Sequence, residues 1–458
     1  MKRQKRLTVL LAVLAVCIAG AFGISRIDFE EKMTGTETEI INVDSAEITY
    51  LAWNYDGEVA FTYEDEEWKY ESDDAMPVDQ EKLSDIAEDL SSITSDKRVE
   101  DVSSLGIYGL DSPAYTFTVK TADETWEISI GDESFTDGEV YISTGDDYVY
   151  LTDSELIDKI SYTLYDLVQT DEIPEAETVT AMNIDNENSL EIVYQEDSGY
   201  CYSGEYTYFL KDGEDEYRNL DNENTETMFD TLSAFSWEEC VSYNADDSAL
   251  ESYGLDDPEA VVQMNYTDEE GESHEFSYEF AKVDDTCYAR VTDSQIVCTV
   301  SSDVYDAAVN ASYDELKPGE VILLDWSTVD SIDIETDGNR YTVEVESSGG
   351  DDEETEYTFT LDGQEVEFMD ALDELSGITA AEDVEEEISL GSSKEEIKIT
   401  FHRNTEDYTE VELVFYQYDG TYCIPVLDGE EMDPVNREDV VSFKEAVNSV
   451  VLDSAKEE

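Results

Sequence analysis

An α+β fold of three tandem repeats is predicted: after an N-terminal transmembrane helix, each repeat is an antiparallel sheet with an amphipathic helix and a short closing helix. Three observations predict it. A run of apolar residues at helical spacing occurs three times, each followed by a stretch that alternates with period two. The sequence Tyr108-Gly-Leu-Asp-Ser-Pro113 returns as Tyr253-Gly-Leu-Asp-Asp-Pro258. The chain also carries 30 Tyr, 15 Phe and 5 Trp, far more aromatic surface than a solvated acidic tail.

The N-terminus comes first. Lys2, Arg3, Lys5 and Arg6 form a basic flank (1–6), and Leu7–Ile24 carries no charge. That length suits a minimal membrane helix with its N-terminus inside and the bulk of the chain outside. A cleaved signal with small residues at Ala19-Gly20-Ala21 is the alternative. A lipoprotein anchored at Cys17 is a third reading, opposed by Val16 directly before it. All three place the remainder outside the cytoplasmic membrane. Residues 25–46 read as a spacer, with repeats expected over 47–170, 177–318 and 321–452.

Within the repeats, Ile86, Ala87, Leu90 and Ile93 share one helical face, as do Met228, Phe229, Leu232 and Phe235. Ala371, Leu372, Leu375 and Ile378 repeat the pattern, and Asp79 and Asn224 stand where N-caps belong. Strands follow: Trp126, Ile128 and Ile130; Phe276, Tyr278 and Phe280; Ile397, Ile399 and Phe401, each alternating with polar residues. Tyr-bearing hairpins come next, around 141–151, 288–298 and 422–427. Closing helices are expected at 154–167, 302–316 and 437–450. Linkers fall at Asp171–Glu175 and Leu316–Glu320.

The formal charge of −94, from 118 acidic and 24 basic residues, repels phosphate backbones and excludes nucleic-acid binding. Cys287 to Cys298 reads as a hairpin with Thr292-Asp293 at its tip. That register sets Cys287 opposite Cys298 and predicts a cross-strand disulfide; two buried thiols are the alternative, because directly opposed cysteines strain the bond. No pair is CxxC-like, so zinc and dithiol redox motifs have no support.

Catalytic signals are absent from the sequence. The two histidines are His274, at the acidic start of a strand, and His402, on the wet parity of another. Neither neighbours a GxSxG elbow, and no Walker loop, GxGxxG, HExxH or EF-hand loop occurs. No enzyme activity, catalytic residue, cofactor or dedicated metal site is expected. Asp212–Glu216, Asp351–Glu354 and Glu382–Glu387 lack regular ligand spacing, so they predict only weak, diffuse calcium association. A hydrolase using unrecognised carboxylates is the remaining enzymatic alternative.

Trp68-Lys69, the helix, Tyr-Gly-Leu-Asp-x-Pro, Ile128-Ser-Ile-Gly-Asp132 and the Val-Tyr hairpin together resemble the DUF4340 repeat. The resemblance covers 48–318 well and 321–452 weakly, since the third copy lacks the signature turn and Ala281 replaces the glycine equivalent to Gly131. It implies a membrane-anchored bacterial protein associated with gliding-type or polysaccharide-linked ABC transporter components. Partners implied are the membrane, transporter subunits or other envelope proteins. A cation-associated surface or adhesion protein is the alternative. No catalytic residue comes with the family, and the residues themselves make the motif a structural turn: Tyr108, Gly109, Leu110, Asp111 and Pro113, then Tyr253, Gly254, Leu255, Asp256 and Pro258. Gly supplies a special backbone angle, Leu plugs the core, and Asp and Pro set the turn.

Overall fold

A computed structural model describes residues 33–454, apart from 135–137, 197–198, 214–215, 349–354, 382–383, 385–389 and 392. The apolar stretch Leu7–Ile24, Cys17, the loop Asp351–Glu354 and most of Glu382–Glu387 lie outside the described residues. Three nine-stranded antiparallel sheets carry the fold. Among the described residues no helix is long and apolar enough to cross a membrane. The chain forms two compact units: one holds residues up to Glu172 with Trp237–Leu250 and Asp293–Thr299. The other holds Ile173–Ser236, Glu251–Thr292 and residues from Val300 onward.

In the first unit the strands lie in the order Met33–Asn42, Ser92–Val99, Val149–Asp153, Glu139–Ser143, Thr125–Glu133, Tyr115–Thr121, Ile48–Asn54, Glu58–Glu64 and Glu67–Tyr70. The expected spacer is therefore corrected: Met33–Asn42 is a strand paired with Ser92–Val99. Its β-branched Thr34, Thr36 and Thr38 favour extended backbone, and Ile40 and Ile41 are buried in the core. Helix Gln80–Ser91 starts where Asp79 accepts from the Lys82 N–H, satisfying a donor the first turn leaves open. Its Leu83, Ile86, Ala87 and Leu90 join Trp53, Phe61, Phe117, Ile128 and Ile130 in one buried cluster. The closing helix expected at 154–167 is broken into Glu155–Asp158 and a 3₁₀ turn at Tyr165–Leu167.

Two excursions complete this unit. Cys240–Ser242 pairs with Val297–Thr299. The Trp237 indole donates to the Asp171 carbonyl at 2.6 Å, and the Ser294 hydroxyl donates to the Asp171 carboxylate at 2.5 Å. Tyr243 donates to Asp73 at 3.0 Å. Cys240, Tyr243 and Ile296 pack against the core.

The second unit holds two sheets. In one, Tyr217–Asn219, Tyr208–Lys211, Leu190–Tyr194, Thr178–Asp185, Ala260–Thr267, Ser273–Val283 and Thr286–Val291 lie side by side. Helix Asn222–Ser233 begins at Asp221, whose carboxylate accepts from the Asn224 N–H; the cap is Asp221, not Asn224, which sits one turn inside. The buried Tyr278 hydroxyl donates to the Leu232 carbonyl at the far end of this helix, tying it to the sheet centre. Glu279 has the wet parity yet is buried, because Arg290 beside it contacts its carboxylate at 2.6 Å. The helix expected at 302–316 is two, Ser302–Val309 and Tyr313–Leu316, each entered by a serine cap.

In the other sheet the order is Gln364–Val366, Glu356–Leu361, Asn339–Ser348, Val329–Thr336, Lys394–Arg403, Glu410–Gln417, Tyr422–Leu427 and Glu430–Glu431, with Val435–Asn436 also on Tyr422–Leu427. Helices Met369–Ser376 and Arg437–Ser454 cover one face. The core here includes Phe401, Phe415, Phe443 and Leu375, and Phe209 from the preceding sheet, with Tyr202 and Tyr206 from the turn before its strand Tyr208–Lys211, packs into the same cluster. The two sheets of this unit thus share apolar side chains.

Candidate functional site

The recurring motif ends on a left-handed glycine in both copies, entered through a 3₁₀ turn in the first and through helix Asp247–Tyr253 in the second. Leu105–Tyr108 is a 3₁₀ turn that ends at Gly109, whose φ of 72° is left-handed. Gly254 repeats this with φ 74°. Tyr108 packs on Tyr141 with centroids 4.9 Å apart, and Tyr253 packs on Tyr288 at 5.0 Å. Leu110 and Leu255 are buried, Asp111 and Asp256 exposed, and Pro113 and Pro258 half-buried. Past each proline the chain enters a strand, Ala114 donating to Ile130 and Glu259 to Phe280. A Cβ on Gly131 would lie 2.1 Å from the Tyr108 carbonyl oxygen, whereas in the second copy the nearest atom to a Cβ on Gly254 is the Ala281 methyl at 3.3 Å. The alanine is tolerated there because the turn stands farther from the strand.

The cysteines require a correction. The strand before the hairpin tip ends at Val291 and the next begins at Val297, so the loop exceeds two residues and the register shifts. Val300 donates to the Cys287 carbonyl, and Cys298 lies opposite Cys240. No disulfide joins Cys287 to Cys298.

His274 touches Asp268 at 2.7 Å, and these two with Glu272 bring candidate ligand atoms within 4.8 Å. Asp268 also accepts from the Glu270 and Glu272 N–H groups, the bonding of a hairpin turn. His402 stands between Asp333 and Glu410, at 3.1 Å from each. The Thr342 hydroxyl and the Arg340 guanidinium hold the Asp333 carboxyl down at about 2.

A tyrosine-lined cleft of about 480 Å³ lies in the second unit. The turn Tyr200–Tyr206, strand Tyr217–Asn219, helix Tyr313–Leu316 and the segments around Tyr408 and Asp428–Pro434 form its walls. Tyr200 stacks on Tyr217 at 3.8 Å and 10°. Tyr408 donates to the Tyr200 carbonyl at 2.9 Å, and Arg403 donates to the Tyr202 carbonyl at 2.6 Å, so the turn is held from beneath. Tyr206 donates to Glu320, while Tyr202 accepts from the Leu323 N–H. Burial pushes Tyr202 up to about 12 and Tyr206 up as well, so both are neutral phenols at ordinary pH.

The cations of the cleft are already engaged. Lys317 contacts Asp433 at 2.6 Å and Asp314 at 2.9 Å. Arg218 lies over the Tyr313 ring at 4.0 Å and beside Asp212 at 3.0 Å. Glu430 and Glu431 are exposed at the rim. Apolar ring faces with neutralised cations and outward acids suit a neutral or cationic segment and disfavour an anion. Sequence reasoning missed this cleft. Its one signal was the density of tyrosine in Tyr200-Cys-Tyr-Ser-Gly-Glu-Tyr-Thr-Tyr208, whose four rings share one parity and so read as an ordinary strand face.

A family model described as a domain of unknown function, DUF4340, matches residues 68–200 and 213–394, more than half of the chain. The chain belongs to the DUF4340 family. Both motif copies of this DUF4340 protein fall inside the matched segments, whereas the tyrosine-rich turn, apart from Tyr200, lies between them. No curated protein and no solved structure matches it.

Proposed function

We propose that this DUF4340 protein is a non-enzymatic interaction module, held outside the cytoplasmic membrane by its N-terminal apolar segment and built from three copies of one unit. It serves as an accessory subunit of an ABC-type export or surface-assembly system. The observation that carries the reading is the tyrosine cleft: rigid rings supply contact area at little entropic cost, as interaction surfaces use them. Two further features support it. In each sheet the strand that follows the helix and turn pairs back with the first strand of the preceding meander: Ile48–Asn54 with Tyr115–Thr121, Thr178–Asp185 with Ala260–Thr267, and Val329–Thr336 with Lys394–Arg403. The charge of −94 then coats folded sheets and keeps them soluble beside a membrane.

Affinity purification of the full chain from native membranes tests the assignment. Recovery of transporter permease or ATPase subunits is expected, and their repeated absence under mild detergent refutes it.

A further inference from the structure

We propose that Cys240 and Cys298 are a disulfide-forming pair, a covalent modification site that staples Trp237–Leu250 to Asp293–Thr299. The two residues are direct register partners on antiparallel strands. Thr299 exchanges the flanking backbone bonds, receiving at its carbonyl from Glu238 and donating to Glu239. Cys298 and Cys240 therefore occupy the next position, one without backbone bonds, where opposed Cα atoms approach to about 4.5 Å. That spacing lies inside the range a disulfide spans, and the bulge just beyond Cys240 adds the local twist that eases the bond.

In backbone register Cys287 faces Lys282 and Val300, and Cys423 faces Gln417 and Val435. The two segments are also positioned before any bond forms, because Trp237 and Ser294 both hold Asp171.

The pair is asymmetric in a way that orders the chemistry. Cys240 is partly exposed, while Cys298 is buried. The neighbouring Cys298 side chain pulls the Cys240 thiol below its ordinary range and is itself pushed up. Cys240 thiolate attacks one sulfur of an external disulfide, forming a mixed disulfide and expelling one thiolate. Cys298 then loses its proton and attacks the Cys240 sulfur, expelling the second. The external disulfide is reduced to two thiols, which take up the two protons, and the protein dithiol is oxidised.

The test uses the full chain equilibrated with oxidised and reduced glutathione, alkylated, and cleaved without reduction after glutamate and after arginine, the cut at Arg290 separating Cys287 from Cys298. The expected result is one cross-linked peptide pair carrying Cys240 and Cys298. The Cys298→Ser variant is expected to stop at a glutathione adduct on Cys240. Alkylated Cys240 and Cys298 at an oxidising poise, or Cys298 joined to Cys287, overturns the proposal, and this wild-type result holds whether or not the variant folds.

Discussion

Substituting Gly131 by alanine tests whether the Tyr-Gly-Leu-Asp-x-Pro turn is a packing device. The added Cβ would meet the Tyr108 carbonyl oxygen at 2.1 Å and Leu110 Cγ at 3.0 Å. The first distance is more than an ångström inside the ~3.5 Å at which carbon contacts become favourable. Because the obstacle is backbone, either the turn or strand Thr125–Glu133 must move, and overpacking of this kind costs about 3 kcal/mol. The mirror change, Ala281→Gly, removes one methyl group in a strand and costs only about 1 kcal/mol. Hydrogen exchange read by mass spectrometry places both effects in one molecule. Gly131→Ala is expected to speed opening of the Thr125–Glu133 amides by about a hundredfold, with the Ser273–Val283 amides as the unchanged control. Exchange in Thr125–Glu133 within a factor of about two of wild type would mean that the turn does not pack tightly on this strand.

Three further outcomes follow from the same geometry. The depressed Asp333 carboxyl stabilises the folded state fully above its unfolded value of about 4, and that contribution is lost as pH falls toward about 2. The stability difference between wild type and Asp333→Asn should therefore shrink over that window in urea titrations, and a pH-independent difference contradicts it. Oxidising Cys240 and Cys298 closes a loop of about 60 residues and should stabilise the first unit by about 4 kcal/mol on the chain-entropy model; identical unfolding with and without reductant argues against the bond. The acidic coat is screened beyond about 8 Å at physiological salt, so melting temperature should rise with sodium chloride and with calcium, and indifference to both counts against self-repulsion.

Periodicity made the helices and central strands legible, because burial of Ile86 and Leu90, or Ile397 and Ile399, follows from spacing alone. Features decided by tertiary contact were not. Met33–Asn42 has few apolar residues and becomes a strand only because Ser92–Val99 offers it an edge. Cys298 finds Cys240 rather than Cys287 because loop length, which composition does not set, shifts the register. Glu279 is buried because Arg290 reaches it from the neighbouring strand. The cleft escaped notice because its tyrosines come from segments far apart in the chain, including Tyr200, Tyr313 and Tyr408.

The most direct test of the interaction-module account compares wild type with a Tyr200→Ala, Tyr408→Ala double variant in quantitative purification from native membranes. Both rings are substantially exposed, at 37% and 40%, so the variant should keep its fold, as checked by an unchanged melting curve. Transporter subunits should co-purify with wild type and fall at least about tenfold with the folded variant, as for loss of a central aromatic contact. Equal recovery with both, or recovery with neither, contradicts it.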